Sequence, residues 1–283
     1  MHTSLTAQPR PRVNILGVGV HALDLPGAVC TVEGAILAGT RGYVCVTSVH
    51  GIMEAHRDAE FQKILNHAFL ITPDGTPTVW VGRIQGHDQM KRVFGPDLML
   101  EICARAPHNR IRHFLYGGKP GVADELALNL RRRFPAIMIV GTFTPPFREL
   151  NAVEQAELEE KIEAVQPDIV WIGLSTPKQE RFMAANCGRL RCKLMIGVGA
   201  AFDFHTGRAK DAPFWVKQMG LQWAHRMCQE PRRLWKRYLA NNPAFLLAIA
   251  LQLTGLRHYS LPPSHAQITS PIAPEPSLGG HIP

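Results

Sequence analysis

Along the chain, short apolar runs alternate with longer stretches whose apolar residues recur at helical spacing. The runs are Val13–Gly17, Tyr43–Thr47, Ala68–Ile71, Thr78–Val81, Arg112–Tyr116, Ile137–Val140, Asp168–Gly173 and Leu194–Val198. Several are apolar throughout, as strands covered on both faces are. Between them, helices are expected near 27–38, 52–66, 96–106, 121–134, 151–165 and 177–189. The alternation predicts an α/β fold, a Rossmann-like, mainly parallel sheet with helices on both faces. Such folds bind ligands beyond the carboxyl ends of their strands. The junctions between strand and helix are therefore where candidate chemistry is sought.

After Gly199 the strand signals stop. Basic and aromatic helical pieces follow at 213–229, 231–241 and 243–256, with Pro213, Pro231 and Pro243 at first-turn positions. The organisation predicted is a loose arm over 1–12, an α/β domain over 13–200, a basic helical appendage over 201–258 and a disordered, Pro- and Ser-containing tail over 259–283.

Composition adds to this picture mainly through charge. At 46% apolar and 19% charged residues, the 283-residue chain has the balance of a globular protein. Its net charge of +8 is concentrated: residues 181–260 hold 13 Lys/Arg against 3 Asp/Glu. A field of that sign attracts phosphates, nucleic acid or an anionic bilayer. The six cysteines form no CxxC pair and read as reduced and mostly buried. The N-terminus lacks an apolar signal core, and no run reaches the ~18–20 apolar residues of a membrane-spanning helix. A cytoplasmic or membrane-peripheral protein is expected.

Gly17-Val18-Gly19-Val20-His21-Ala22 matches the GxGxxG/A pattern of dinucleotide sites. The second strand ends Val46-Thr47-Ser48-Val49-His50, without the acid that would bind ribose hydroxyls. The pattern is therefore read as a strand end followed by a loop.

Four segments carry candidate chemistry. Thr72-Pro73-Asp74-Gly75 puts a carboxylate at a strand's carboxyl end. Tyr116-Gly117-Gly118-Lys119-Pro120-Gly121 is a Gly-rich turn into a helix, where backbone amides can approach an anion. Ser175-Thr176-Pro177-Lys178-Gln179-Glu180 is a second capped junction, with Lys178 and Gln179 in the first turn. The stretch Trp223–Tyr238 interleaves Arg226, Arg233, Lys236 and Arg237 with aromatic rings. On one continuous helix Arg226, Arg233 and Arg237 share a face, unless Pro231 resets the phase. The apolar segment Phe245–Leu256 follows. It suits either a helix lying in a membrane interface or a buried core or oligomer helix. No Asp-x-Asp occurs, and no His/Cys cluster has metal-ligand spacing. A leaving diphosphate would have to be met by Arg and Lys.

Together these segments resemble the WecG/TagA/CpsF glycosyltransferase family from about Val13 to Leu256. The resemblance rests on Thr47, Asp74, the run Arg92-Val93-Phe94-Gly95-Pro96-Asp97, Gly117–Gly121, Pro177–Glu180, Gly197–Asp203 and Glu230–Arg233. It implies an inverting, metal-independent transfer from a UDP-sugar to an undecaprenyl-diphosphate-linked sugar in polysaccharide synthesis, with no cofactor. The enzyme would work as a peripheral protein on the inner face of the cytoplasmic membrane. Asp74 maps to the family's proposed general base. Thr47, Arg92 and Gln179 map to substrate-binding residues, and Arg226, Arg233 and either Lys236 or Arg237 to appendage cations. Ser48, Gly117, Gly118 and Lys178 complete the expected binding set. A homo-oligomer is compatible with the reading; nucleic acid is not an expected partner.

Three departures bear on the sugar. Ser48 or Val49 stands where the family often has Asn after the strand-end Thr. Asp211-Ala212-Pro213 replaces its Arg-Ala-Pro, and Gly220-Leu221-Gln222-Trp223 replaces its Gly-Leu-Glu-Trp. Losing one charge of each sign predicts that positions 211 and 222 lie side by side. The rival readings are a nucleotide-dependent oxidoreductase, which needs an acid after the second strand, and a nucleic-acid binder using 181–260.

Overall fold

The computed structural model describes residues 11–105, 110–213, 216 and 221–263, apart from the side chains of residues 233, 236 and 237. Strand β1 (Arg12–Ile15) turns back into β2 (Val18–His21) as an antiparallel hairpin. The two turn residues, Leu16 and Gly17, have φ of 52° and 85°, the conformation of a tight primed hairpin turn. The GxGxxG text is thus a hairpin turn plus a second strand, which corrects the expected loop. Helix α1 (Leu25–Leu37) follows, capped by Asp24 through the Gly27 amide.

Six parallel strands form the sheet: β3 (Gly42–Thr47), β4 (Leu70–Pro73), β5 (Arg112–Gly117), β6 (Met138–Phe143), β7 (Ile169–Gly173) and β8 (Leu194–Gly197), in the order β4-β3-β8-β7-β5-β6. The α/β expectation holds. Successive strand residues point to opposite faces. Val44, Leu115, Trp171 and Ile196 therefore join one core, and Cys45, Tyr116, Val170 and Met195 the other. The first core is closed by α1, by α5 (Gly95–Ala104) and by α6 (Val122–Arg133). The second is closed by the hairpin, by α2 (Val49–Arg57) and α3 (Ala59–His67), and by α7 (Ala152–Val165) and α8 (Lys178–Asn186).

Three expected elements differ. Thr78–Val81, read as a strand, lies in helix α4 (Thr76–Ile84). A four-residue apolar run cannot separate strand from helix by period alone. Here Gly75 and Pro77 start a helix whose Val79, Val81 and Gly82 are buried while Trp80 and Ile84 face out. The helix expected over 52–66 is two helices, because Asp58 ends α2 and caps α3 through the Glu60 and Phe61 amides.

The third difference lies in the C-terminal helices. The short α9 (Ala201–His205) and α10 (Gln222–Gln229) precede one continuous α11 (Pro231–Leu253). Pro243, expected at a helix start, lies inside α11. Glu230, at φ −130° and ψ 57°, separates α10 from α11 and resets the phase that would have put Arg226, Arg233 and Arg237 on one face.

Helix α11 is two-sided. Asn241, Phe245, Ala248 and Ile249 are buried against the second core, whereas Leu239, Leu246, Leu247 and Leu253 are exposed. The core reading of this segment holds for the buried face, and the exposed leucines lie on the other. Its end is tied to the hairpin. Gln252 Oε1 accepts the Leu16 amide at 2.8 Å and Nε2 donates to the Asn14 carbonyl at 2.8 Å. Asn14 and Arg12 donate to the Tyr259 and Pro262 carbonyls. The described residues run on to 263, past the boundary expected at 258; the arm residues 1–10 and the tail residues 264–283 lie outside them. No helix among the described residues is long and apolar enough to cross a membrane.

Candidate active site

Strand β4 ends at Pro73, and the next residue, Asp74, is fixed by its own amide, which donates to the Thr47 carbonyl at 2.9 Å. The carboxyl ends of β3 and β4 are thereby clamped together. On the side chain, Arg92 Nε and Nη2 both donate to the single oxygen Oδ1 of Asp74, each at 3.2 Å. A fork-to-fork pair would engage both carboxylate oxygens. This one leaves Oδ2 outside the Arg92 grip. The Arg92 guanidinium carbon lies over the Phe94 ring, 4.3 Å from its centroid.

Asp74 and Arg92 line a pocket with Ser48, Val49 and His50 from the start of α2, and with Gln222, Trp223, Arg226, Tyr238 and Asn241 from α10 and α11. Arg226 lies over the Phe204 ring at 5.5 Å, and Phe204 meets Phe94 edge-on at 5.5 Å. Two guanidiniums thus bracket an aromatic pair, one from the sheet side and one from the C-terminal helices. Their charge is held on apolar supports rather than on a flexible loop. Asn241 Nδ2 donates to His50 Nδ1 at 3.1 Å, which joins α11 to α2 across the pocket wall.

Of the residues expected from sequence, Ser48, Asp74, Arg92 and Arg226 meet in this pocket. Thr47 sits behind it, 2% exposed, with its hydroxyl lacking a hydrogen-bond partner among the described residues. Gln179 is also buried and turned inward: Oε1 accepts the Gly199 amide at 3.1 Å, and Nε2 donates to Glu180 at 2.9 Å. Gly117 ends β5 and Gly118 follows it, without either lining the pocket. A Cβ on Gly117 would stand 2.6 Å from the Gly173 carbonyl oxygen, so backbone contact between neighbouring strand ends demands glycine there. Lys178 is exposed in the first turn of α8. The side chains of Arg233, Lys236 and Arg237 lie outside the described residues.

Positions 211 and 222 are adjacent, as the paired charge loss predicted: Gln222 Nε2 donates to Asp211 Oδ1 at 3.1 Å. His50, Phe94, Asn241 and Asn242 were not foreseen as site residues. A signal existed for the asparagines, since a polar pair before Pro243 interrupts the apolar residues over 239–251 and Asn is a poor helix former. His50 and Phe94 enter through tertiary packing.

Cys45, Cys103 and Cys192 are buried. Burial pushes the Cys45 thiol well up, with the nearby Glu180 charge adding to it. Burial likewise raises Cys103 and Cys192, the latter to about 12. These thiols are not thiolate nucleophiles at neutral pH. Cys187 is half-buried and Cys30 and Cys228 are exposed, so burial is less general than composition implied. Among the described residues no group of three or more His, Cys, Asp or Glu side chains is placed to hold a metal ion.

The pocket thus sets a carboxylate beside two guanidiniums at the carboxyl edge of a parallel sheet. The family model for the Glycosyl transferase WecG/TagA/CpsF family matches residues 13–259, and the chain belongs to that family; it is a glycosyltransferase. It is similar, at 30% identity over 80% of this chain and 86% of the other, to the N-acetylglucosaminyldiphosphoundecaprenol N-acetyl-beta-D-mannosaminyltransferase of Bacillus spizizenii. The protein of the same name from Bacillus subtilis strain 168 is 28% identical over 66% of this chain and 70% of its own.

Proposed function

We propose that the enzyme transfers a sugar from a UDP-sugar to an undecaprenyl-diphosphate-linked sugar, at the inner face of the cytoplasmic membrane, in building a cell-surface polysaccharide. The names of both Bacillus relatives, which act on N-acetylglucosaminyldiphosphoundecaprenol, support the acceptor class. The observation that carries the chemistry is Asp74, held on one oxygen by Arg92 in a pocket that also contains Arg226.

Asp74 Oδ2 takes the proton of the acceptor hydroxyl as that oxygen attacks the anomeric carbon of the donor. The bond from that carbon to the diphosphate oxygen breaks, and its electron pair leaves on UDP. A single carboxylate acting as base, with no covalent intermediate, inverts the anomeric configuration. Arg226 and Arg92 stabilise diphosphate charge, the role a metal ion fills elsewhere. The exposed leucines of α11, with Arg232 and Arg257 exposed on the same C-terminal segment, favour an anionic bilayer surface.

The test is a panel of UDP-sugars with a short-chain lipid-diphosphate acceptor, with and without EDTA, read by product mass and anomeric configuration. Transfer of one sugar, insensitive to EDTA and with inversion, is the expected result. No product from any donor overturns the transfer reading, and loss in EDTA overturns the metal-free one.

A further inference from the structure

Two helices far apart in sequence span the same two points of the molecule. At one end, Thr76 and Pro77 of α4 and Asn241 and Asn242 of α11 line the pocket. At the other, Gln85, which caps α4, and Gln252 of α11 each donate from Nε2 to the Asn14 carbonyl at 2.8 Å. From Pro77 to Gln85 a helix rises about 12 Å, and from Asn242 to Gln252 about 15 Å. The two helices therefore run side by side from the pocket to the hairpin. Beneath them, Val81 of α4 and Phe245, Ala248 and Ile249 of α11 join one core with Val13 and Ile15 of the hairpin. Their other sides are apolar and exposed. On α4, Pro77, Trp80 and Ile84 share a face at i, i+3 and i+7, with Trp80 52% and Ile84 67% exposed. On α11, Leu246 and Leu247 are 62% and 65% exposed.

We propose that α4, in the sheet body, is a second bilayer anchor beside α11: Trp80 and Ile84 enter the interface of an anionic membrane, so that the pocket both helices line opens at the lipid surface. Trp is suited to that depth, because its ring is apolar and its indole N–H reaches the wet headgroup layer. One exposed apolar strip gives weak, reversible binding, and a second strip alongside it adds buried area and fixes the orientation of the protein on the membrane. Charge decides the occupant. Neither α4 nor α11 contains Asp or Glu, while Arg83, Arg232 and Arg257 are exposed on or next to them. A second copy paired on this face by a two-fold axis would bring the same cations together with no acid on either helix to meet them. Anionic headgroups supply the missing countercharge. This inference rests on the proposal above that the acceptor is presented by a membrane.

The experiment compares the full chain with a Trp80→Ala, Ile84→Ser variant, whose two sites are exposed and lie outside the pocket. Binding is measured by cosedimentation with vesicles of phosphatidylglycerol and phosphatidylcholine, and with phosphatidylcholine alone. The wild type is expected to bind the anionic vesicles in preference, and the variant to partition roughly tenfold less, with thermal unfolding unchanged. Transfer to a water-soluble short-chain acceptor is expected to be the same in both proteins, and transfer to a long-chain acceptor embedded in the anionic vesicles to fall in the variant. Equal vesicle binding by the two proteins overturns the inference, as does equal binding of the wild type to neutral and anionic vesicles. A lipid-free dimer that the variant loses assigns the face to a second copy and also overturns it. The expected vesicle binding without transfer to either acceptor overturns the transfer reading alone.

Discussion

The sheet body and the C-terminal helices contribute to one pocket in different ways. The body places Asp74 by backbone: strand β4 ends against β3, and the Asp74 amide is tied to the Thr47 carbonyl. The C-terminal helices place Arg226, Gln222, Tyr238 and Asn241 by side-chain clamps, namely Asn241 on His50 and Gln252 on the hairpin backbone. Parallel strands buried on both faces open only with global unfolding. A helix held by a few polar ties and one apolar face can open locally at lower cost. The comparison teaches that the candidate general base sits on the stiffer part and the other polar side chains of the pocket on the more yielding one.

The largest effect is expected at the body's carboxylate. Asp74→Asn should reduce kcat by about 10²–10⁴-fold, the range for a general base, with thermal unfolding unchanged. Near-normal turnover would remove Asp74 as the base and shift the chemistry towards the helical wall.

The next effect separates the two regions by pH. His113 is buried on β5 and accepts a hydrogen bond from Trp171 Nε1 at 3.1 Å. Burial lowers its pKa to about 4, against a smaller opposing pull from Asp168. The unfolded chain protonates His113 near pH 6.5 and the folded chain only near pH 4, so stability falls as pH drops through that window. The loss amounts to about 3 kcal/mol by pH 4, and none of it is present at neutral pH. Urea unfolding at pH 7 and pH 5 should show the decline. His113→Gln, which retains an acceptor for Trp171, should flatten it; an equally steep decline in that variant assigns the sensitivity elsewhere.

A smaller effect is expected at the latch. Gln252→Leu removes the two ties this side chain makes to the hairpin, at a cost of about 1–3 kcal/mol. Hydrogen exchange should rise over α11 and β1 before it rises in β7 or β8. Uniform exchange across the sheet would mean that the two regions open as one. The smallest effect on stability is expected for Leu246→Ser with Leu247→Ser, within about 0.5 kcal/mol because both side chains are exposed. The same pair should weaken cosedimentation with anionic vesicles, and unchanged sedimentation would detach the exposed face of α11 from the membrane proposal.

Much of the body is legible from local pattern. Continuous apolar runs such as Ile169–Gly173, short and set between longer helical stretches, read as strands covered on both sides, and Asp74 is conspicuous as an acid just beyond one. Local pattern fails where competing signals are short. Thr78–Val81 has strand composition but helical caps, and Asp58 breaks a helical period without a Gly or Pro to announce it. The resemblance to the glycosyltransferase family supplied Arg92 and Arg226, whose spacing alone would not have paired them with Asp74.

Residue order along the chain thus settles which elements form, where their carboxyl ends lie and which acid stands at one of them, because caps and periodicity act over a few residues. Which cation meets Asp74, how the Phe94–Phe204 pair supports two arginines, and that Gln222 meets Asp211 are settled only on folding. These depend on contacts between segments as far apart as His50 and Asn241 or Asn14 and Gln252, whose separation along the chain carries no local signal.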